Sequence, residues 1–458
     1  MTKLKKPLSV FSLVMINVIA IDSLRTLPIS AKLGLPLVSY YLLAAIVFFI
    51  PVALVAAELA TAYPKTGGLY VWVREAFGVR VGFMTIWLQW IYNVVWYPTI
   101  LAFTVSTLSY LFDPTLNHYK LYLLGPSLGL FWIFTALNCF GMQLSSIIST
   151  VGAIIGTILP LTGIIGLGIY WLWAGHPSAI VHASLLPDLH ALGDFSLFSG
   201  VLFGLLGMEM SAVHAEEVRN PQKDYPKALV YSTMLIFGTL VFASLAITLV
   251  VSPHTLNIVS GLMDAFVIFF DKLHIPWMIY ILAILITIGN VSSVSTWIIG
   301  PTKGLLVAAR DGSIPARFAK VNKHGAPVAI LITQAILFSL LNTVFVLFKS
   351  INAAYWLLSD LSAIMALLVY VFMFAAAIRL RYSQPEKPRP YKIPGGMVGI
   401  WLVAGAGFTC CLLTACLGFV PPTQIPVDSI WIFEGLLVGG LFLFMGVPFI
   451  WSRPRKRK

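Results

Sequence analysis

Long stretches of this chain contain no Asp, Glu, Lys or Arg at all, among them residues 81–112, 121–187, 228–263, 273–302, 324–348 and 393–427. A run of about 20 apolar residues is long enough to cross a bilayer as a helix, and inside a bilayer every backbone N–H and C=O must be satisfied within the protein. A chain in which such runs recur from end to end therefore folds as an all-α polytopic membrane protein. Composition agrees. Only 10% of the 458 residues are charged and 59% are hydrophobic, whereas a soluble domain carries about 25% charged residues. A single cleaved signal peptide would not account for apolar segments that continue to the last residues.

The pattern predicts spans near 8–33, 36–61, 81–111, 121–141, 147–174, 196–219, 227–252, 273–308, 326–348, 351–378, 396–420 and 428–452. Twelve spans put both termini on one side. Assigning that side to the cytoplasm leaves only Arg25, Lys32, Lys120, Lys272, Lys303 and Lys349, of 29 Lys and Arg, in spans or on the other side. That asymmetry is the positive-inside rule. The net charge of +12 thus reports topology and contact with the lipid bilayer and its anionic headgroups, with no nucleic-acid partner implied. Cys139, Cys410, Cys411 and Cys416 fall inside spans and lack metal-ligand spacing, so they read as buried thiols outside any disulfide framework. Nothing indicates a cofactor. The segment GPTKG at 300–304 lacks the phosphate-loop pattern, and no nucleophile triad is evident, so no enzyme is expected.

Two spans are unusual. The first contains VIAIDSLRTLPISAKLG (18–34), with Asp22, Arg25 and Pro28 near its middle. The sixth contains FGLLGMEMSAVHAEEV (203–218), with Gly204 and Gly207 beside Glu209. Gly and Pro weaken helix continuity, an ionisable group inside a span marks a functional candidate, and interrupted spans in matching positions point to a transporter's binding site. Spans 1 and 6 lie five apart, the spacing of a five-plus-five inverted repeat (about 8–175 and 196–382) followed by two extra helices (about 396–452), all within one transmembrane domain, 1–458.

The segments ELATAYPKTGGLYVWVREAFG (58–78) and GMEMSAVHAEEVRNPQKDYPKAL (207–229) resemble the amino acid–polyamine–organocation transporter superfamily. WIIGPTKGLLVAARDGSIPARFAKVNKHGAPV (297–328) and PYKIPGG (390–396) are similar to its glutamate/γ-aminobutyrate antiporters of bacterial inner membranes, and the likeness runs over roughly 10–452. It implies a LeuT-like fold with broken helices 1 and 6 around the substrate, and amino acid exchange by alternating access. Glu209 matches the family's helix 6 carboxylate beside the substrate, and Tyr370 a helix 10 tyrosine on the transport path. The chain departs from a well-known member at three places: Arg25 and Leu27 stand where tyrosines precede the helix 1 proline, Ala366 replaces a second helix 10 tyrosine, and Ser293 replaces a helix 8 glutamate. The chain printed here ends at WSRPRKRK without a long plug, so plug-based pH gating is not expected.

An amino acid brings a carboxylate and an ammonium. Half-helix N-termini suit the former, which places the carboxylate at the helix 1 break, near Asp22, Ser23, Arg25, Thr26 and Leu27, and the ammonium at Gly204, Gly207 and Glu209. Glu209, about 13 residues into its span and hence near the midplane, can bind a proton or a substrate cation, or stand as a neutral, hydrogen-bonded structural residue. Arg25 has three readings. It can pair with Asp22, which is three residues away on a continuous helix. It can close an outer gate with Asp360, since both sit about 12–14 Å from the outer ends of their spans. Or it can bind a substrate carboxylate directly, which guanidinium does well. At the inner ends, Glu58, Glu217 and Arg219 can form an inner gate with Lys65 or Lys303, or serve as cytoplasmic surface charge. A proton-coupled symporter and a non-transporting amino acid sensor are the alternatives to antiport. Oligomeric state is left open.

Overall fold

A computed structural model describes residues 8–65, 67–140, 152–180, 184–186, 192–211, 218–253, 255–420 and 429–451. The regular structure of those residues is helical, apart from one isolated bridge pairing Leu8 with Val218. In chain order the helices are α1 (Val10–Ile21), α2 (Leu27–Ala31), α3 (Leu37–Ala62), α4 (Leu69–Phe77), α5 (Val79–Ser109), α6 (Lys120–Cys139), α7 (Ile154–Trp173), α8 (Leu192–Phe203), α9 (Pro221–Val250), α10 (Gly261–Lys272), α11 (Met278–Arg310), α12 (Val328–Leu347), α13 (Ile351–Ser383), α14 (Gly396–Leu417) and α15 (Ile430–Trp451).

Among the described residues, eleven segments are long and apolar enough to cross a membrane, counting α1 and α2 together as Val10–Ala31. The protein is thus an all-α polytopic membrane protein. The expected span at 196–219 is described in part, as α8, an interruption and a short helical turn that reaches Ser211. Its described apolar part, Leu197–Ser211, is too short to join that count, and 212–217 lie outside the described residues. The short helices α4 and α10 were not anticipated, because each lies between long apolar runs and is itself amphipathic.

Burial sorts the helices into a centre and a rim. In α5, 94% of the most apolar window is buried, and in α13 72%; in α15 the figure is 22% and in α6 and α14 33%. The central helices are enclosed by protein, so their polar residues need internal partners. Rim helices present large apolar side chains outward, such as Trp401, Leu402, Trp431 and Phe442, as lipid contact requires. Where α7 meets α11 the backbones nearly touch. A Cβ on Gly289 would lie 2.2 Å from the Gly156 carbonyl oxygen, so that crossing tolerates only glycine.

Taking α1 as rising from a near face, α3 returns to it. Along the chain, α5, α9 and α12 then all end at the opposite, distal face, where the connections at 110–119, 251–260 and 348–350 lie.

Candidate functional site at the two helix breaks

The first span is broken where the sequence places its charges. α1 stops at Ile21. Asp22 and Ser23 are non-helical, with ψ of 70° and 114°. A single 3-10 turn, Leu24–Thr26, then leads into α2. Pro28 sits in the first turn of α2, where a missing N–H costs nothing. The freed groups find partners: Ala20 O accepts from the Trp297 indole N–H at 2.9 Å, and Ser23 O accepts from the Thr26 hydroxyl at 2.8 Å.

The sixth span is interrupted in the same layer. α8 ends at Phe203, Gly204 and Leu205 turn, and a 3-10 turn resumes at Met208. Gly207 has φ +122°, a region that side chains rarely adopt, and a Cβ there would lie 3.1 Å from both Ile21 Cγ1 and Trp297 Cζ2. Gly204 faces Thr26, whose Oγ1 would be 3.3 Å from its Cβ. The two breaks therefore pack against each other.

Between them is a cavity of about 30 Å³, lined by Ser23, Arg25 and Thr26 from the first break, Gly204 and Leu206 from the second, and Tyr92, Asn93, Trp96 and Trp297 from α5 and α11. That volume suits one or two waters, so an amino acid enters only if the lining moves. Arg25 is the sole charged residue in this lining. It is 2% exposed. Its guanidinium donates to the Tyr355 hydroxyl at 3.3 Å and the Ser359 hydroxyl at 3.5 Å, and lies 5.4–5.8 Å from the ring centroids of Trp96, Phe203 and Tyr355. Its Nε has no hydrogen-bond partner. Among the described residues no ion pair joins Arg25 to a carboxylate.

Neither acid considered for Arg25 meets it. Asp22 turns the other way, its Oδ2 accepting from Thr239 of α9 at 2.8 Å, because the break removes the shared helical face. Asp360 follows Ser359 on α13, and successive helical residues point about 100° apart. With Ser359 facing Arg25, Asp360 faces α8, where its Oδ1 accepts from Ser199 at 3.0 Å. The first and tenth spans do meet, through Arg25 and Tyr355 and Ser359; the charge pair is not made in this conformation.

Glu209 and Tyr370 do meet, just off the cavity. The Tyr370 hydroxyl accepts from the Gly207 N–H at 2.9 Å and donates to Glu209 Oε2 at 2.5 Å. Gln89 donates to Glu209 Oε1 at 3.3 Å. Helix α13 is thus tied directly to the break in the sixth span. Leu27 is packed in the core. Ser293 is buried with its hydroxyl unpartnered, away from the cavity lining. Trp297, Tyr355, Gln89 and Thr239 were not anticipated as site residues. The aromatic run 87–97 carried the signal for Gln89, Tyr92 and Trp96.

The inner-gate expectation needs correcting for Glu58. Its partners are neither Lys65 nor Lys303. Glu58 Oε1 and Oε2 accept from Arg381 at 2.8 and 2.6 Å, Oε1 pairs with Arg389 at 3.4 Å, and Oε2 accepts from the Ile393 N–H at 2.9 Å. These buried groups lock the connection between α13 and α14 onto α3. Glu217 lies outside the described residues.

The amino acid permease family profile matches residues 6–442. The chain is 64% identical over 450 residues to an uncharacterized transporter of Legionella pneumophila, covering 98% of this chain and 97% of that one. It is 28% identical over 455 residues to a glutamate/gamma-aminobutyrate antiporter of Lactococcus lactis (97% and 90% covered). It is also 28% identical over 395 residues to a probable agmatine/putrescine antiporter of that species (85% and 83% covered).

Proposed function

The chain belongs to the amino acid permease family, and from that premise we propose that it is an amino acid antiporter of the bacterial inner membrane, with both termini cytoplasmic, exchanging substrates that carry a carboxylate by alternating access. The observation that carries this reading is Arg25. A buried cation without a counter-charge is costly. Here the guanidinium sits at the junction of both helix breaks, and among the described residues its partners are hydroxyls and ring faces. A substrate carboxylate supplies the missing charge. It fits the fork geometry of guanidinium.

The family relatives include exchangers named for an acidic amino acid and for cationic amines. Arg25 favours the first class, because a cationic amine would meet like charge in a site of low dielectric. Glu209, held between Tyr370 and Gln89, is the group we assign to the substrate ammonium or to a proton. The LeuT-like repeat, with halves about 8–175 and 196–382, is supported by interruptions in two spans that meet in one layer.

The test is counterflow in proteoliposomes preloaded with single amino acids and challenged with labelled L-glutamate at acidic and neutral pH. Uptake that requires internal glutamate or γ-aminobutyrate supports exchange. Uptake into empty vesicles driven by a proton gradient makes the protein a symporter instead. Binding with zero flux makes it a sensor.

A further inference from the structure

A second cavity lies at the distal face, apart from the helix breaks. It has a volume of about 260 Å³, close to the lower end of the ~300–1,000 Å³ typical of small-molecule sites, and several times the space at Arg25. Three connections build it: His118 and Lys120 where α5 passes to α6, Asn257 and Ser260 ahead of α10, and Lys349 to Asn352 at the start of α13.

Its polar groups are biased toward donors. Lys120 and Lys349 both line it and no acid does. Lys120 gives one hydrogen bond, to Phe348 O, which leaves two of its three N–H groups. Lys349 is exposed and makes no ion pair among the described residues. The Asn257 carbonyl already accepts from the Val259 and Ser260 N–H groups at 2.8 and 3.3 Å, so its amide NH₂ remains. Ser106 at the cavity wall is fully buried, and its hydroxyl has no partner. The 33-residue helix α13 starts here; the first N–H groups of a helix have no intrahelical acceptor, and of these the Ala353 N–H is already capped by the Ser350 hydroxyl at 3.3 Å, which leaves those of Ile351 and Asn352. The two acids on the flanking elements, Asp113 and Asp264, lie outside the lining and have donors of their own. Asp113 caps its own turn through the Thr115 N–H at 2.9 Å, and that hydrogen bond holds its carboxyl below the usual carboxylate range. Asp264 accepts from Tyr110 and Ser260. One lining atom asks for a donor instead: Asn352 Oδ1, buried and unpartnered.

We propose that this cavity is a staging site for an acidic amino acid, its carboxylates on Lys120, Lys349 and the start of α13, its ammonium at Asn352. This rests on the carboxylate reading of Arg25 and extends it. The helix that receives the anion at the distal face also carries Tyr355 and Ser359, which touch Arg25. Substrate would pass from a preformed site to one that must open.

The experiment uses full-length His118→Cys protein in proteoliposomes, with labelling of the parent protein subtracted. Its rates with a sulfonate-bearing and an ammonium-bearing thiol reagent are compared. The anionic reagent is expected to react about ten-fold faster, as a local positive potential concentrates anions. L-Glutamate is expected to slow it more than inorganic phosphate does, and the Lys120→Ala/Lys349→Ala pair to abolish both effects. Protection should persist when Arg25→Ala is added, although exchange is lost. Equal rates for the two reagents, protection that survives loss of both lysines, or protection that disappears with Arg25 would overturn the proposal. Phosphate protecting as well as glutamate would overturn the assignment to an amino acid. Because protection is read without flux, a protein that fails counterflow can still pass here, and the reverse.

Discussion

Removing the Arg25 guanidinium should separate its two remaining roles. If it binds a substrate carboxylate, Arg25→Ala loses about 2–5 kcal/mol of interaction. Uptake of glutamate should then fall more than ten-fold even at high substrate, and Arg25→Lys should recover part of it, keeping the charge without the fork. If it gates, the exchange of charges in Arg25→Asp/Asp360→Arg should partly restore transport lost in either single variant. Asp360 now faces Ser199, so α13 or its side chains must rotate for that pair to form, and a double variant no better than the singles removes the gate. Tyr370→Phe deletes the acceptor for the Gly207 N–H and the donor to Glu209 at once. An orphaned buried N–H costs about 1–3 kcal/mol. Melting in detergent should therefore drop along with exchange, whereas Tyr355→Phe, which loses one long hydrogen bond, should lower affinity with little loss of stability.

At the scale of elements, the interrupted spans are the feature that the amino acids announce most plainly. Charge and Pro28 inside an apolar run mark one break, and Gly204 and Gly207 beside Glu209 mark the other; both occur where those residues stand. What periodicity could not convey is which way side chains turn at a break. The pairing of Asp22 with Arg25 presumes a continuous helix, and the break at Asp22 and Ser23 removes that premise. The contact between Trp297 and Ala20 O spans 277 positions and uses a backbone acceptor, so no local pattern encodes it. Gly207→Ala tests the break directly. A side chain at φ +122° costs about 1–3 kcal/mol, and the new Cβ would press on Ile21 and Trp297. We expect a folded protein with exchange abolished, checked by size-exclusion elution and counterflow side by side.

The whole molecule divides into a buried centre, carried by α5 and α13, and a lipid-facing rim. The near absence of charge announced the spans but not the depth at which each helix sits: α5 and α15 are both long and apolar, yet one is enclosed and the other mostly bare. The Glu58 cluster belongs to this scale, since it fastens α3, the end of α13 and the run up to α14 together. Glu58→Gln leaves Arg381 and Arg389 buried with no carboxylate, a cost of about 3–5 kcal/mol, so yield and thermal stability should collapse; as surface charge, Glu58 would have been replaceable. The same fastening has a bearing on how the chain can be cut. Covalent continuity between Gln384 and Arg389 is almost redundant. Arg389 and Ile393 on one side of that stretch both grip a carboxylate that lies more than three hundred positions earlier. A protease nick in that stretch, or expression of the chain as two pieces divided there, should yield fragments that copurify as one particle, with the last two helices still in place.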